Sequence, residues 1–263
     1  MLEDIVANNK RQIKGAIWNT LGSGMYGINS FLMLAVASRI GSVEEAGYFG
    51  IAFTTAQLMY IVGLLGMNHY QQTDYQEKYA FSAYVKAKLL ATGLMGVGCL
   101  CTIVLLRFSG VKIIYTIALT VLMMLNSIGE MFQSLLFQKN RLDLSGSVLF
   151  YRTLWSLITF GIVAFVSRNI LSALYAQILV NFGLTLFYAL RYTPQFTGPG
   201  IKETHGCREP IPLILECFPL FISVLLTNII INASKYGIEI LMDDTAQGYY
   251  NMIFMPAQVI NLC

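Results

Sequence analysis

Two charged side chains stand within or beside apolar stretches of the sequence, where they could pair with each other or bind an ion. Glu130 follows a long uncharged run and shares a helical face with Asn126 and Gln133, at spacings of i−4 and i+3. Arg152 lies across a short hairpin from Glu130. Because a charge in hydrocarbon is usually paired or functional, we hypothesise an ion pair between Glu130 and Arg152 that joins two helices. Proton or cation coupling through Glu130 is the alternative.

Uncharged polar residues mark further helical stretches that could offer hydrogen bonds to a polar ligand. In the first stretch they recur at i, i+4, i+7 and i+11, which places them on one face of a helix. The alternative is that they bond neighbouring helices or their own backbone. The candidates are Asn19, Ser23, Tyr26, Ser30, Gln57, Thr227, Asn228, Asn232 and Gln258.

Hydrophobic runs dominate the chain and predict an all-α integral membrane protein. Of the 263 residues, 56% are apolar and 12% are charged, which is about half the charged share of a soluble domain. Many uncharged runs approach or exceed the about 20 residues that a helix needs to cross a bilayer, and β-strands would show shorter alternating segments. We predict eight transmembrane helices, at 15–37, 46–68, 87–106, 113–137, 148–167, 170–190, 213–233 and 246–263.

The distribution of basic residues predicts a cytoplasmic N-terminus. With that orientation, twelve of the 17 Lys and Arg residues fall on the inner side and five on the outer side. The longest connection, at 193–212, is rich in proline and is predicted to be a cytoplasmic linker. It separates a six-helix N-lobe at 1–192 from an incomplete C-lobe at 213–263 that holds two helices.

Two short blocks of sequence before the linker recur after it in the same order. Ala37–Gly41 corresponds to Ala233–Gly237, and Gly47-Tyr48-Phe49 corresponds to Gly248-Tyr249-Tyr250. The blocks flank predicted helices that run in the same direction, so the pattern indicates a duplication about an axis along the membrane normal. A duplicated six-helix unit has twelve helices, so we expect the chain to be a fragment or a truncated gene product that lacks about four of them.

Four features carry a resemblance to a known family: the turn Arg39-x-Gly41, the pair Glu44-Glu45, the two Gly-Tyr blocks, and the approach from Glu216 to Pro219. On these features the chain resembles bacterial polysaccharide flippases, the O-antigen and capsule exporters of the multidrug/oligosaccharidyl-lipid/polysaccharide exporter superfamily. The resemblance implies a two-lobed, multi-pass bundle in the bacterial cytoplasmic (inner) membrane, with a central cleft lined by helices 1, 2, 7 and 8.

The resemblance also implies a function and its partners. The cleft would open alternately to each side and move a lipid-pyrophosphate-linked oligosaccharide across the membrane for surface polysaccharide synthesis. Membrane lipid would surround the bundle, and a polysaccharide polymerase with its chain-length machinery would be the protein partners. The polar candidates would then line the cleft.

Basic side chains would bind the pyrophosphate of such a substrate. The candidates are Arg39, Arg152 and Lys235. Arg39 and Lys235 occupy equivalent positions of the repeat, at the predicted outer ends of their helices, where they could flank the mouth of the cleft. The alternative is that both simply extend to the membrane surface.

Other functions remain open on the sequence. A cation-coupled multidrug exporter of the same superfamily would favour an acidic cleft, and an inactive truncated remnant is also possible. A membrane-embedded enzyme is disfavoured, because the outer loops are short and the sequence has no Ser/His/Asp set, metal-ligand spacing or phosphate-binding glycine loop. We therefore predict no enzyme activity, cofactor, metal or nucleic-acid partner, and we interpret the five cysteines as small apolar packing residues.

Overall fold

A computed structural model of the chain describes residues 2–197 and 207–260, with side chains for 12–196 and 207–253. These ranges are helical apart from short connections and one isolated bridge between Tyr79 and Cys207. The helices are α1 (Leu2–Ile40), α2 (Val43–Leu64), α3 (Met67–Thr73), α4 (Phe81–Leu105), α5 (Val111–Gln138), α6 (Leu142–Ser167), α7 (Ile170–Tyr192), the single turn α8 (Pro194–Thr197), α9 (Pro210–Leu241) and α10 (Asp244–Ile260).

Seven helices in the described part of the chain are long and apolar enough to cross a membrane: α1, α2, α4, α5, α6, α7 and α9. They coincide with the first seven predicted spans, so the prediction of an all-α, multi-pass membrane protein is confirmed. The eighth predicted span corresponds to α10, which has 17 residues within the described range. We call the end of the bundle where α1 begins the predicted inner end, and the end where α1 finishes the predicted outer end.

Two helix boundaries differ from the prediction because charged residues lie inside the helices. α4 begins at Phe81 rather than at 87, so Lys88 lies about two turns inside the helix rather than at its first turn. α9 continues to Leu241 rather than ending at 233, and it contains Pro219 and Lys235. In both cases the lysine is buried among helices, so its charge does not mark a loop.

Local sequence signals explain where several helices begin. Before α2, the Ser42 side chain accepts the Glu45 backbone N–H at 3.1 Å, and the Glu45 carboxylate accepts the Ser42 N–H at 3.1 Å, which is a capping box. Asn169 caps α7 in the same way through its side-chain oxygen. Pro210 opens α9, where its missing N–H costs no helical hydrogen bond.

α2 is the central helix of the bundle. In its most apolar segment 72% of the residues are buried, against 11% in α9 and 22% in α4. The first apolar core joins α2 to α1, α5, α6 and α7, and a second core joins its last turns to α4 and α9. The exposed faces of α4, α6, α7 and α9 carry large apolar side chains, as surfaces in contact with lipid tails do.

The crossing of α2 and α10 is reciprocal. A Cβ atom on Gly47 would overlap the carbonyl oxygen of Asp244, and one on Gly248 would overlap the carbonyl oxygen of Val43. Gly47 and Gly248 are the equivalent positions of the two sequence blocks, and Val43 and Asp244 precede them by one turn. The two copies of the block therefore pack on each other with nearly two-fold symmetry, as the predicted duplication requires.

Candidate functional site

Polar side chains gather inside the first half of the bundle (α1–α7), around Tyr60 of α2. Tyr26 of α1 packs beside Tyr60, with ring centroids 6.4 Å apart. Both tyrosine hydroxyls are close enough to the Glu130 carboxylate to interact with it electrostatically. Tyr26 also interacts in this way with the Arg152 guanidinium. The structure thus brings together three of the predicted site residues. Sequence analysis missed Tyr60, because a tyrosine in an apolar run carries no periodic or charge signal.

The direct ion pair that we hypothesised between Glu130 and Arg152 is not among the ion pairs of the described residues. Glu130 accepts a hydrogen bond from Asn68 of α3 at 3.3 Å. Arg152 is 2% exposed and packs against Gly129. Adjacent positions on α5 face different neighbours, α3 for Glu130 and α6 for Gly129, so the two charges interact only at longer range.

A second polar group joins α5 to α7 below the tyrosines. Asn181 donates through its Nδ2 to the Oδ1 of Asn126 at 3.0 Å, and the Thr185 hydroxyl donates to the Oδ1 of Asn181 at 3.2 Å. All three side chains are buried. This closed network holds two helices together, which is the structural role that interhelical amides have in membranes.

Lys88 is a buried cation that sequence analysis placed at the inner surface. It is 4% exposed, and its Nζ donates to the Gly63 carbonyl oxygen at 3.0 Å and to the Ser127 hydroxyl at 3.1 Å. These bonds link α4 to α2 and α5. Lys88 and Arg152 therefore do not belong to the loop charges on which the predicted orientation rests.

α2, α9 and α10 meet in a polar contact, the α2–α9–α10 contact, which is the main candidate site. Lys235 of α9 is 5% exposed, and its Nζ donates to the Thr54 hydroxyl of α2 at 3.2 Å. The prediction placed Lys235 at an outer helix end, like Arg39, and this was wrong because α9 continues to Leu241. Arg39 is exposed in the last turn of α1, so the two cations do not share an environment.

Six buried polar atoms around this contact have no hydrogen-bond partner among the described residues. They are the hydroxyl oxygens of Thr55 and Tyr236 and both amide atoms of Gln247 and Asn251. Gln247 is 0% and Asn251 1% exposed, and Asn251 packs directly on Gly50. Native proteins leave few buried polar atoms unbonded, so such a cluster indicates a surface that meets water or a polar ligand in another state.

Sequence analysis missed Gln247 and Asn251, although the repeat offered a signal. The offset between the two Gly-Tyr blocks aligns Gln247 with Ala46 and Asn251 with Gly50. The second copy thus carries amides where the first copy has small residues. A comparison of the copies position by position would have found both.

The polar candidates on α9 bond to their own helix. The Thr227 hydroxyl donates to the carbonyl oxygen of Ser223 at 2.8 Å, and the amides of Asn228 and Asn232 donate to carbonyl oxygens one turn earlier, each at 3.0 Å. This is the alternative that the sequence left open for them. All three side chains remain partly or fully exposed.

The other polar candidates are spread over α1, α2 and α10. On α1, Asn19, Tyr26 and Ser30 are half-buried and Ser23 is exposed, and on α2 Gln57 is half-buried. Gln258 lies in α10, but its side chain lies outside the described residues. The structure does not gather these residues into one cluster.

Glu216 fastens α9 to the loop between α3 and α4 at the predicted inner end. Its carboxylate accepts hydrogen bonds from the Lys78 Nζ at 2.6 Å, from the Tyr79 hydroxyl at 2.9 Å and from the Tyr70 hydroxyl. Burial, followed by the bond to Glu216, raises the pKa of Tyr79 to about 12, so this hydroxyl remains a donor at neutral pH. Cys217, next in the chain, is 1% exposed beneath this contact.

Lys112 fastens α9 and α10 to α5 at the predicted outer end. Its Nζ pairs with the Glu239 carboxylate of α9 at 2.6 Å and with Asp244 of α10. The Lys112 and Glu239 side chains are 14% and 6% exposed. Charged groups thus fasten α9 to the first half of the bundle at both its ends.

The fold is that of an all-α, multi-pass membrane protein in which a polar contact joins repeat-related segments. Two solved structures share the fold. One is a MOP superfamily transporter from Pyrococcus furiosus Vc1, with 12% identity and a TM-score of 0.52. The other is a MATE protein in complex with MaL6, with 13% identity and a TM-score of 0.50. Each match covers 94% of this chain and 64% of the other chain.

The particular family follows from the sequence pattern. Residues 13–263 match the family described as polysaccharide biosynthesis protein, and the chain belongs to that family. The resemblance to polysaccharide exporters that the sequence motifs indicated is thereby confirmed. No curated protein sequence matches the chain significantly.

Proposed function

We propose that the chain forms the substrate-binding part of a flippase for a lipid-pyrophosphate-linked oligosaccharide. The flippase would work by alternating access in a bacterial cytoplasmic membrane, with the N-terminus inside, and would serve surface polysaccharide synthesis. Family membership and the transporter fold support the general role. A polymerase and its chain-length machinery are proposed partners.

The observation that carries the proposal is the cluster of unbonded polar atoms at the α2–α9–α10 contact. Gln247 and Asn251 each offer a donor and an acceptor, which is what sugar hydroxyls require. Both amides are buried when α2 and α10 are together. Separation of these helices would expose them to a cleft, where an oligosaccharide could supply the missing hydrogen bonds.

Lys235 supplies the positive charge that a pyrophosphate needs at the same contact. Its ammonium group is buried between α9 and α2 and donates to Thr54. A buried intramembrane cation is costly and marks a substrate pathway by default. Opening of the contact would allow the ammonium group to exchange the hydroxyl for a phosphate oxygen, which is a stronger, charge-assisted acceptor.

The charge at this contact favours a phosphate-bearing substrate over an organic cation. A drug exporter would need a free carboxylate in the cleft, but the acidic residues at the contact's outer edge, Glu239 and Asp244, are paired with Lys112. Glu130 lies inside the first half, bonded to Asn68.

Binding measurements on the chain in detergent test the proposal. The ligands are a fluorescent lipid-pyrophosphate oligosaccharide and the same lipid pyrophosphate without sugar. Lys235→Met should weaken both by about tenfold, because it removes a charge-assisted bond. Asn251→Leu should weaken only the sugar-bearing ligand. Thr159→Val is the control and should leave both unchanged, because Thr159 is a half-buried residue of α6 whose hydroxyl donates to the Trp155 carbonyl oxygen of its own helix.

Two outcomes would contradict the proposal. If neither substitution alters binding of the sugar-bearing ligand, the contact is not its site. If the chain binds an organic cation such as tetraphenylphosphonium and neither lipid, the multidrug alternative replaces the flippase.

A further inference from the structure

A second cleft lies inside the first half, between α5, α6 and α7, and most of its lining is apolar. Its walls include Gly129 and Gln133 of α5, Arg152 of α6, and Tyr188 and Tyr192 of α7. The cleft reaches the last turn of α7, at the predicted inner end. No described residue of α9 or α10 lines it, so it is separate from the proposed transport site.

Two buried donors in this cleft have no acceptor among the described residues. They are the Nη2 of Arg152 and the Nε2 of Gln133. Arg152 is 2% and Gln133 6% exposed, so both side chains are more than nine-tenths buried. Arginine stays protonated in proteins, so the guanidinium is a buried cation with one N–H group that has no acceptor. The site therefore holds a cation and a neutral donor that both require an acceptor.

Glu130 is not the acceptor that the Arg152 and Gln133 donors lack. Glu130 interacts with Arg152 at longer range, but it does not line the cleft and its carboxylate is bonded to Asn68 on α3. The absence of a side chain at Gly129 makes space for the guanidinium, because a Cβ atom there would overlap the Nη1 of Arg152. A side chain at 129 would push the guanidinium out of its present position.

We propose that this cleft, which as it stands has room for about one water molecule, widens to bind a phosphate group through Arg152 and Gln133. The planar guanidinium can donate two parallel hydrogen bonds to phosphate oxygens, and the Gln133 amide can donate to another oxygen. Basic pockets between transmembrane helices on the cytoplasmic side bind lipid head groups. The phosphate could belong to a membrane lipid whose head group enters at the end of α7, or it could be free in solution.

Thermal unfolding of the chain in a maltoside detergent tests the site and distinguishes the two sources. One arm adds inorganic phosphate at constant ionic strength, with chloride as the reference. The other adds dioleoyl phosphatidic acid, with dioleoylglycerol as the lipid that lacks phosphate. A ligand that binds the folded state raises the unfolding temperature in a saturable manner. No transport is measured, so failure of this site would leave the proposed function intact.

Substitutions at Arg152 and Gln133 test whether the rise in unfolding temperature comes from binding in the cleft. Arg152→Met should raise the half-saturating concentration by about tenfold or more, and Gln133→Leu should raise it by a smaller factor. Gln133→Leu removes a buried unbonded donor, so it should fold even if Arg152→Met does not. Arg191→Met is the matched control: it removes an exposed arginine from the last turn of the same helix, α7, and should change little.

Each result supports or overturns the site. Saturable stabilisation by both ligands that Gln133→Leu weakens supports a general phosphate site, and stabilisation by phosphatidic acid alone supports a lipid head group as the source. Stabilisation by neither ligand overturns the proposal. An equal loss in Arg191→Met also overturns it, because the effect would then come from surface charge.

Discussion

The contact between α1 and α6 and the α2–α9–α10 contact are both close-packed through glycine, but they differ in how their polar groups are satisfied. A Cβ atom on Gly22 of α1 would lie 2.7 Å from the Gly146 carbonyl oxygen of α6. Trp18 packs beside the same stretch against Phe150 and Tyr151. No residue in 15–22 or 142–150 holds a buried side-chain polar atom without a partner, whereas the α2–α9–α10 contact holds six such atoms.

In the proposed transport cycle, this difference would separate a permanent joint from one that opens. Between residues 15–22 and 142–150 the α1–α6 contact buries no unbonded polar atom, so this part of it loses nothing by staying closed. The α2–α9–α10 contact keeps amides and hydroxyls from any partner while it is closed, and this lowers the free energy needed to separate the helices. Alternating access needs rigid halves and one weak interface between them. The two contacts have the properties that these roles require.

The largest effect is expected from a substitution in the permanent contact. In Gly146→Ala the new Cβ atom would overlap the backbone of Trp18 and Asn19. Overpacking of this kind costs about 1–3 kcal/mol or more, so the unfolding temperature in detergent should fall clearly. Gly161→Ala on the same helix, where nothing lies within 4 Å, is the control. Equal unfolding temperatures for the two variants would show that the α1–α6 contact yields easily.

The equivalent substitution in the other contact should change conformation more than stability. Gly248→Ala places a Cβ atom on the Val43 carbonyl oxygen, and the opening that we propose would let α2 and α10 separate to relieve this overlap. We expect a loss of about 1 kcal/mol, at the low end for overpacking, and faster labelling of a cysteine at 55 by a water-soluble maleimide. Gly237→Ala, in open space on α9, is the control. Slower labelling would contradict the view that this contact opens.

The glycine pair at the crossing could be predicted from the sequence in part. The repeat identified Gly47 and Gly248 as equivalent, and an axis along the membrane normal implies that equivalent positions near the axis meet. The apolar runs likewise located seven helices, because length and composition are local properties.

The candidate site was less predictable, because burial depends on which helices meet. Lys235 resembles a loop lysine in the sequence, and only the packing of α9 on α2 shows that it is buried. Glu130 and Arg152 lie on neighbouring helices as predicted, yet a rotation of one residue along α5 gives them different partners. Such angles are set by contacts far apart in the sequence, so periodicity alone does not determine them.

Removal of an unbonded amide should stabilise the contact that opens. Gln247→Leu has a similar volume and removes two buried polar atoms that lack partners. We expect a gain of about 1 kcal/mol, seen as a higher unfolding temperature, together with weaker binding of the sugar-bearing lipid. Gln138→Leu, at a buried position in the last turn of α5 where the Nε2 donates to the Asp74 carbonyl oxygen at 2.8 Å, is a control for the change in size and polarity. Loss of stability in Gln247→Leu would indicate that the amide is satisfied, and would remove the argument for an opening contact.

The smallest effect on stability is expected at Glu216, which fastens α9 to the first half at the predicted inner end. The Lys78 and Glu216 side chains are 56% and 37% exposed, so solvent screens their attraction. Glu216→Gln should therefore leave the unfolding temperature in detergent almost unchanged. It should still favour separation of α9 from the loop between α3 and α4, because the amide is a weaker acceptor for Lys78 and the two tyrosines.

Cys217 reports this separation directly, because it is buried beneath the Glu216 contact. In a chain with the other four cysteines replaced, Glu216→Gln should speed the reaction of Cys217 with a water-soluble thiol reagent about two- to threefold. Glu209→Gln, exposed just before α9, is the control. The exchange Lys78→Glu with Glu216→Lys should restore slow labelling. If the single substitution leaves labelling unchanged, glycine packing and apolar burial alone hold α9 in place, and the charged groups at the inner end do not control opening.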